Sequence, residues 1–155
     1  MRSAWPVQFA KCWQRWLVIL AERSGRAASF MILGIGVDII EVSRIRDAYA
    51  RLGDRFLRRI LLDSEIAYCL AHSDPAPHLA ARFAAKEAVS KAFGTGIGAE
   101  LGWVDMEVVK QPGGAPRMLF HGVGRDLMER RGATALHLSL SHTAQYAVAQ
   151  AILES

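Results

Sequence analysis

The chain has 155 residues, 52% of them hydrophobic and 22% charged, with a mean hydropathy of +0.14. That length and balance fit one globular domain and exclude a disordered chain. The net charge of +4 does not mark a nucleic-acid binder, because the first 30 residues hold five Lys/Arg against one Glu and leave fourteen bases and fourteen acids in the rest. The domain proper is neutral, without a basic footprint.

In chain order, residues 1–30 read as an extension. Phe9, Trp13, Trp16, Leu17 and Leu20 recur at helical spacing, the pattern of an amphipathic helix. The apolar run Trp16 to Ala21 is short and is followed by Glu22, Arg23 and Arg26, which is not a secretory signal. No run approaches the about 20 apolar residues that span a bilayer, so no membrane is expected. Met31-Ile32-Leu33-Gly34-Ile35-Gly36-Val37 opens directly as a strand, and Met31 is favoured as the functional start, with the domain at 31–155. Cys12 and Cys69 form no metal or CxxC spacing, so reduced thiols and a cytoplasmic location are expected.

Ile32 to Ile40 is almost continuously apolar and reads as a strand buried on both faces. Its single acid, Asp38, must meet a cation or hydrogen-bond donor, or serve as a ligand. Gly34 and Gly36 lack the third glycine of a dinucleotide fingerprint, since Ile39 stands there, and are read as allowing close backbone approach. Two helices, Ser43 to Leu52 and Asp54 to Leu62, break at Gly53. Arg44, Arg46, Arg51, Arg55, Arg58 and Arg59 stand here against only Asp47 and Asp54. Such a patch is either a solvated face or a dock for an acidic protein.

A short helix from Ser64 to Leu70 precedes a loop, Asp74 to Pro77, and then the long helix Pro77 to Phe93. On that helix Glu87 and Lys91 are i,i+4 neighbours, with Arg82 and Lys86 as a second ridge beside them. One carboxylate among several cations suggests a place where phosphates and a metal meet; a solvated surface ion pair is the plainer alternative. Gly94 reads as the helix C-cap. Gly94-Thr95-Gly96-Ile97-Gly98 follows a helix, so it is not a P-loop, but its amides are open to an anion.

Trp103 to Lys110 alternates as a half-buried strand, Gln111 to Pro116 is turn material, Arg117 to Phe120 is a strand and Gly124 to Arg131 a helix. His137 to Ser141 and Tyr146 to Leu153 form a closing hairpin joined by residues 142–145. Strands at both ends with helices grouped in the middle give an α+β domain, mainly antiparallel sheet with a long helix packed on it.

Three segments carry a resemblance: Gly34 to Ile40, Arg82 to Gly98, and Leu138-Ser139-Leu140-Ser141-His142-Thr143. In order and spacing they resemble the holo-acyl-carrier-protein synthases, small 4′-phosphopantetheinyl transferases of fatty acid synthesis, over Met31 to about Leu153. The resemblance implies transfer of the phosphopantetheine arm of coenzyme A to a serine of apo acyl carrier protein, releasing adenosine 3′,5′-bisphosphate. It assigns magnesium to Asp38 and Glu87, pyrophosphate contact or leaving-group protonation to Lys91, and the 3′-phosphate of coenzyme A to Arg82 and His142. Asp38, Glu87 or a water on the metal is left as the base. Arg44, Arg55 and Arg59 match positions that meet the acidic carrier-protein helix, and a homotrimer with coenzyme A between subunits is implied. The segment between Arg46 and Arg55 is longer than in the family. The competing readings are a transferase serving polyketide or peptide carriers and a non-catalytic module binding coenzyme A or a carrier protein; retention of both Asp38 and Glu87 speaks for catalysis.

Overall fold

A computed structural model describes residues 30–155, so the helical pattern read before residue 21 and the reading of residues 1–30 as an extension lie outside the described residues. Strand β1 (Ile32–Glu41) leads into helices α1 (Val42–Leu52), α2 (Asp54–Ile60), α3 (Asp63–Leu70) and the long α4 (Ala76–Phe93). A hairpin of β2 (Met106–Lys110) and β3 (Pro116–Phe120) follows, then α5 (Val123–Arg130), β4 (Ala135–His142) and β5 (Tyr146–Glu154). One sheet runs β1-β5-β4 and the other is the β2-β3 hairpin; every pairing is antiparallel. This is the α+β arrangement expected, with α4 laid across the three-stranded sheet.

Small residues make that close crossing possible. A Cβ at Gly34 would stand 1.9 Å from the carbonyl oxygen of Ala92, and one at Gly36 would stand 1.9 Å from that of Ala88. Opposite them on β5, Ala147, Ala149 and Ala151 are buried, as are Ala80, Ala81, Ala84, Ala85 and Ala88 of α4. Strand and helix thus touch backbone to backbone, which confirms the reading of the two glycines. Gly36→Ala should therefore force the helix off the sheet and cost about 3 kcal/mol or more; thermal unfolding measures it, and an unchanged Tm would contradict this packing.

The same crossing corrects the expectation that β1 is buried on both faces. Only the parity of Gly34, Gly36, Asp38 and Ile40 meets α4, while Ile35, Val37 and Ile39 are 58%, 58% and 66% exposed. Their cross-strand partners on β5 include Val148 and Ile152, so the sheet carries an uncovered aliphatic stripe. Trp103–Asp105 is a 3-10 turn instead of strand, with Asp105 Oδ2 accepting the Gly102 amide at 2.8 Å. His142 ends β4 and the turn is left to residues 143–145, where Thr143 Oγ1 accepts the amides of Gln145 and Tyr146. Gly53 (φ 54°) and Gly94 (φ 73°) end α1 and α4 in the left-handed region, as read.

Lys86 is not part of a surface ridge. It is fully buried, and its three donors reach Glu65 Oε2 at 2.7 Å and the carbonyls of Ile60 and Trp103 at 2.8 and 3.0 Å. Glu65, also buried, accepts the amides of Leu62 and Val108, each at 2.9 Å. Burial pulls the Lys86 ammonium below the ordinary lysine range and the Glu65 carboxylate opposes that pull. The pair ties α4 to α2, α3, β2 and the 3-10 turn.

Candidate active site

The close crossing of β1 and α4 sets the site. Asp38 follows Gly36 on the helix-facing parity of β1, so its carboxylate meets the last two turns of α4. There Lys91 Nζ donates to Asp38 Oδ1 at 2.8 Å and to the Val37 carbonyl at 3.2 Å. The cation that an acid in this strand requires is thus Lys91, and Lys91 pairs across to the strand instead of along the helix to Glu87. Glu87 takes part in no ion pair among the described residues. Burial raises its carboxyl above the ordinary glutamate range, the Asp38 charge raises it further, and Lys91 partly offsets both. Two carboxylates close enough to repel, on separate elements and with a lysine paired to only one of them, form a cluster that favours an added cation.

Arg82 and His142 are brought to a second place, on the N-terminal half of α4. Arg82 is 6% exposed, its guanidinium lies 4.1 Å over the Tyr68 ring, and its Nε is buried without a hydrogen-bond partner. His142, on the α4-facing parity of β4, meets the edge of His78 at 4.9 Å between ring centroids. The sequence reading missed His78, although its position one turn before Arg82 was a visible signal; His72 and Tyr68, from the preceding helix and loop, gave none.

The arginine patch divides. Arg46 is held by Asp74 in a bidentate pair at 2.9 Å and Arg58 by Asp63 at 3.0 Å. Arg44, Arg55 and Arg59 are exposed and in no ion pair among the described residues. Arg55 and Arg59 flank a concavity of about 440 Å³ lined by Leu52, Phe56 and Ile60. The glycine turn offers less than expected: the amides of Gly94, Thr95 and Gly96 bond to the last carbonyls of α4 and that of Gly98 to Leu101. Helix termination consumes the donors that an anion would need.

An α+β domain with two neighbouring carboxylates, a lysine paired to one of them and a buried arginine with an unpaired nitrogen has groups suited to phosphate chemistry. The 4′-phosphopantetheinyl transferase superfamily matches residues 34–151, and the chain belongs to that superfamily. It is 52% identical over 124 residues to a holo-[acyl-carrier-protein] synthase of Koribacter versatilis, covering 80% of this chain and 99% of that one. Among solved structures it is similar to holo-[acyl-carrier-protein] synthase from Neisseria meningitidis, with a TM-score of 0.76 and 32% identity over 81% of this chain and all of that one. The Helicobacter pylori synthase in complex with coenzyme A matches with a TM-score of 0.70 and 36% identity over 77% of this chain and 98% of that one.

Proposed function

We propose that the chain transfers the 4′-phosphopantetheine arm of coenzyme A to a serine of apo acyl carrier protein, releasing adenosine 3′,5′-bisphosphate. The observation that carries this reading is the meeting of Asp38, Glu87 and Lys91 where β1 crosses α4. The pair fits magnesium: the ion commonly takes one or two protein carboxylates and completes its shell with substrate phosphate and water. Asp38 and Glu87 would hold the ion, which when bound would neutralise the pyrophosphate. Lys91, already anchored to β1, supplies a fixed cation for the same oxygens, and Arg82 and His142 receive the 3′-phosphate. Fatty acid synthesis in the cytoplasm, and Met31 as the functional start, belong to the same proposal. Incubation with coenzyme A, magnesium and a cognate apo carrier should raise the carrier's intact mass by one phosphopantetheine. An unchanged mass with folded enzyme would sink the reading.

The exposed arginines suit the carrier protein. Arg55 and Arg59 form a charged edge on an apolar concavity, and Arg44 lies on the neighbouring helix. The double change Arg55→Glu with Arg59→Glu should raise the KM for the carrier about tenfold while leaving the KM for coenzyme A unchanged. Steady-state kinetics with each substrate varied distinguish this from a general loss, and the carrier KM of the parent chain should rise with salt.

Self-association, with a homotrimer as the expected state, is supported by the uncovered stripe of Ile35, Val37, Ile39 and Val148. Aliphatic surface this continuous on one sheet face favours burial against another copy. Val37→Glu should shift the assembly to monomer in light scattering; a wild-type monomer at micromolar concentration would overturn the assignment.

A further inference from the structure

Beside the carboxylate cluster, five side chains from three elements and a loop converge on the N-terminal half of α4. The rings of His72 and His78 stack with centroids 3.6 Å apart, His142 meets His78 at 4.9 Å, and Tyr68 lies 4.9 Å from His72. Arg82 lies over the Tyr68 ring, with its Nε buried and unpartnered. His72 Nδ1 lies 2.9 Å from the Tyr68 carbonyl and donates to it, which leaves its Nε2 for a ligand. The one acid nearby, Asp74, is occupied by both guanidinium nitrogens of Arg46 and by the amide of Ala76. Cys69 does not serve as an anion either, because burial holds its thiol up at about 11. Three imidazoles and a guanidinium are therefore crowded together, balanced only by Asp74, whose oxygens are already taken.

We propose that His72 and His78 complete, with Arg82 and His142, a site for a phosphate monoester that takes up protons as the phosphate binds. It rests on the reading that Arg82 and His142 meet the 3′-phosphate of coenzyme A, and adds two residues and a proton linkage to it. The physical reason is the crowding. Positive charges placed on rings stacked this closely beside a guanidinium repel one another unless an anion joins them. Burial pulls His78 below the ordinary histidine range, and His72, His142 and Arg82 pull it further, with Asp74 alone opposing. A bound phosphate reverses that balance, and His78 then draws a proton from solvent to become a charged donor beside its stacked neighbour. Because a histidine loses its proton as pH rises, the contribution is present in acid and lost through neutrality.

The test compares coenzyme A with 3′-dephospho-coenzyme A as substrates of the full chain between about pH 6 and about pH 8. The preference for coenzyme A, taken as the ratio of kcat/KM values, should fall about tenfold across that range. In the H72Q/H78Q variant it should stay flat or rise, since a phosphate monoester itself sheds its second proton near pH about 6. Parallel profiles in the two proteins, with a preference that Arg82→Ala abolishes, would overturn the histidine assignment and leave the Arg82 reading standing. No preference at any pH, and no effect of Arg82→Ala on the ratio, would overturn the phosphate reading itself. Calorimetry on the unmodified chain, in two buffers of different ionisation enthalpy, should show net proton uptake for adenosine 3′,5′-bisphosphate that adenosine 5′-monophosphate lacks. Equal uptake for both ligands would overturn the proposal independently of how the variant folds.

Discussion

Glu87→Gln should lower kcat/KM for carrier modification about a thousandfold while leaving the domain folded, and Asp38→Asn should do the same. Both changes keep the shape of the side chain and remove the negative oxygen that a hard cation prefers. The two differ in their effect on stability, and the difference tests the geometry. Burial and the Asp38 charge raise the folded-state pKa of Glu87. A group raised in this way favours the fold below its unfolded pKa, and that contribution is lost as pH rises through the folded one. At neutral pH the ionised Glu87 therefore costs stability, and Gln, which mimics the protonated form, relieves the cost. The Tm of Glu87→Gln without divalent cation should accordingly be raised at neutral pH. Asp38→Asn keeps an oxygen for Lys91 Nζ, 2.8 Å away in the parent chain; it loses the attraction of a pair whose lysine side chain is 48% exposed and whose acid is 15% exposed, but also relieves the repulsion with Glu87, so its Tm should barely move. Differential scanning calorimetry beside the mass assay decides: a Glu87→Gln protein that is less stable than its parent would mean that the carboxylate has a structural partner instead.

The backbone devices were legible because their causes are local. Gly53 and Gly94 sit at left-handed positions that ordinary side chains resist, and the run from Ala76 to Phe93 has the length and end signals of a helix. Asp38, Glu87 and Lys91 were legible as a set through the family resemblance, but their pairing was not. An i,i+4 spacing joins Glu87 to Lys91 on paper, whereas the glycines of β1 bring Asp38 within reach of Lys91 first. The same glycines misled the reading of β1. With Gly34 and Gly36 at inward positions and Ile35, Val37 and Ile39 at outward ones, the strand loses the alternation of polar and apolar that marks a half-covered sheet. The histidine group was legible only in part: His142 entered through the resemblance and His78 stands one turn before Arg82, but that they meet each other and His72 follows only from the packing of a loop and β4 on α4.

Lys86→Met should be the most destabilising single change in the domain that leaves the active site untouched, costing about 4 kcal/mol. The substitution keeps the length and apolar stem of the side chain, so little of the loss comes from a cavity. What remains is a Glu65 carboxylate that is 1% exposed and has lost its cation, together with the orphaned carbonyls of Ile60 and Trp103. Domains of this size have about 5–15 kcal/mol in all, so the fold should survive with a midpoint in denaturant shifted far down and the slope unchanged. Glu65→Gln restores neutrality in the Lys86→Met background while still accepting one of the amides of Leu62 and Val108. The double variant should therefore recover about 2 kcal/mol relative to the sum of the two single changes, the signature of a coupled pair. Additive losses would mean that Lys86 is held by the carbonyls alone and that Glu65 is needed only for the two amides. Under the coupled outcome the two lysines that flank Glu87 have unlike parts: Lys91 turned to Asp38 on the strand, and Lys86 turned inward to clamp four elements around the helix that carries it.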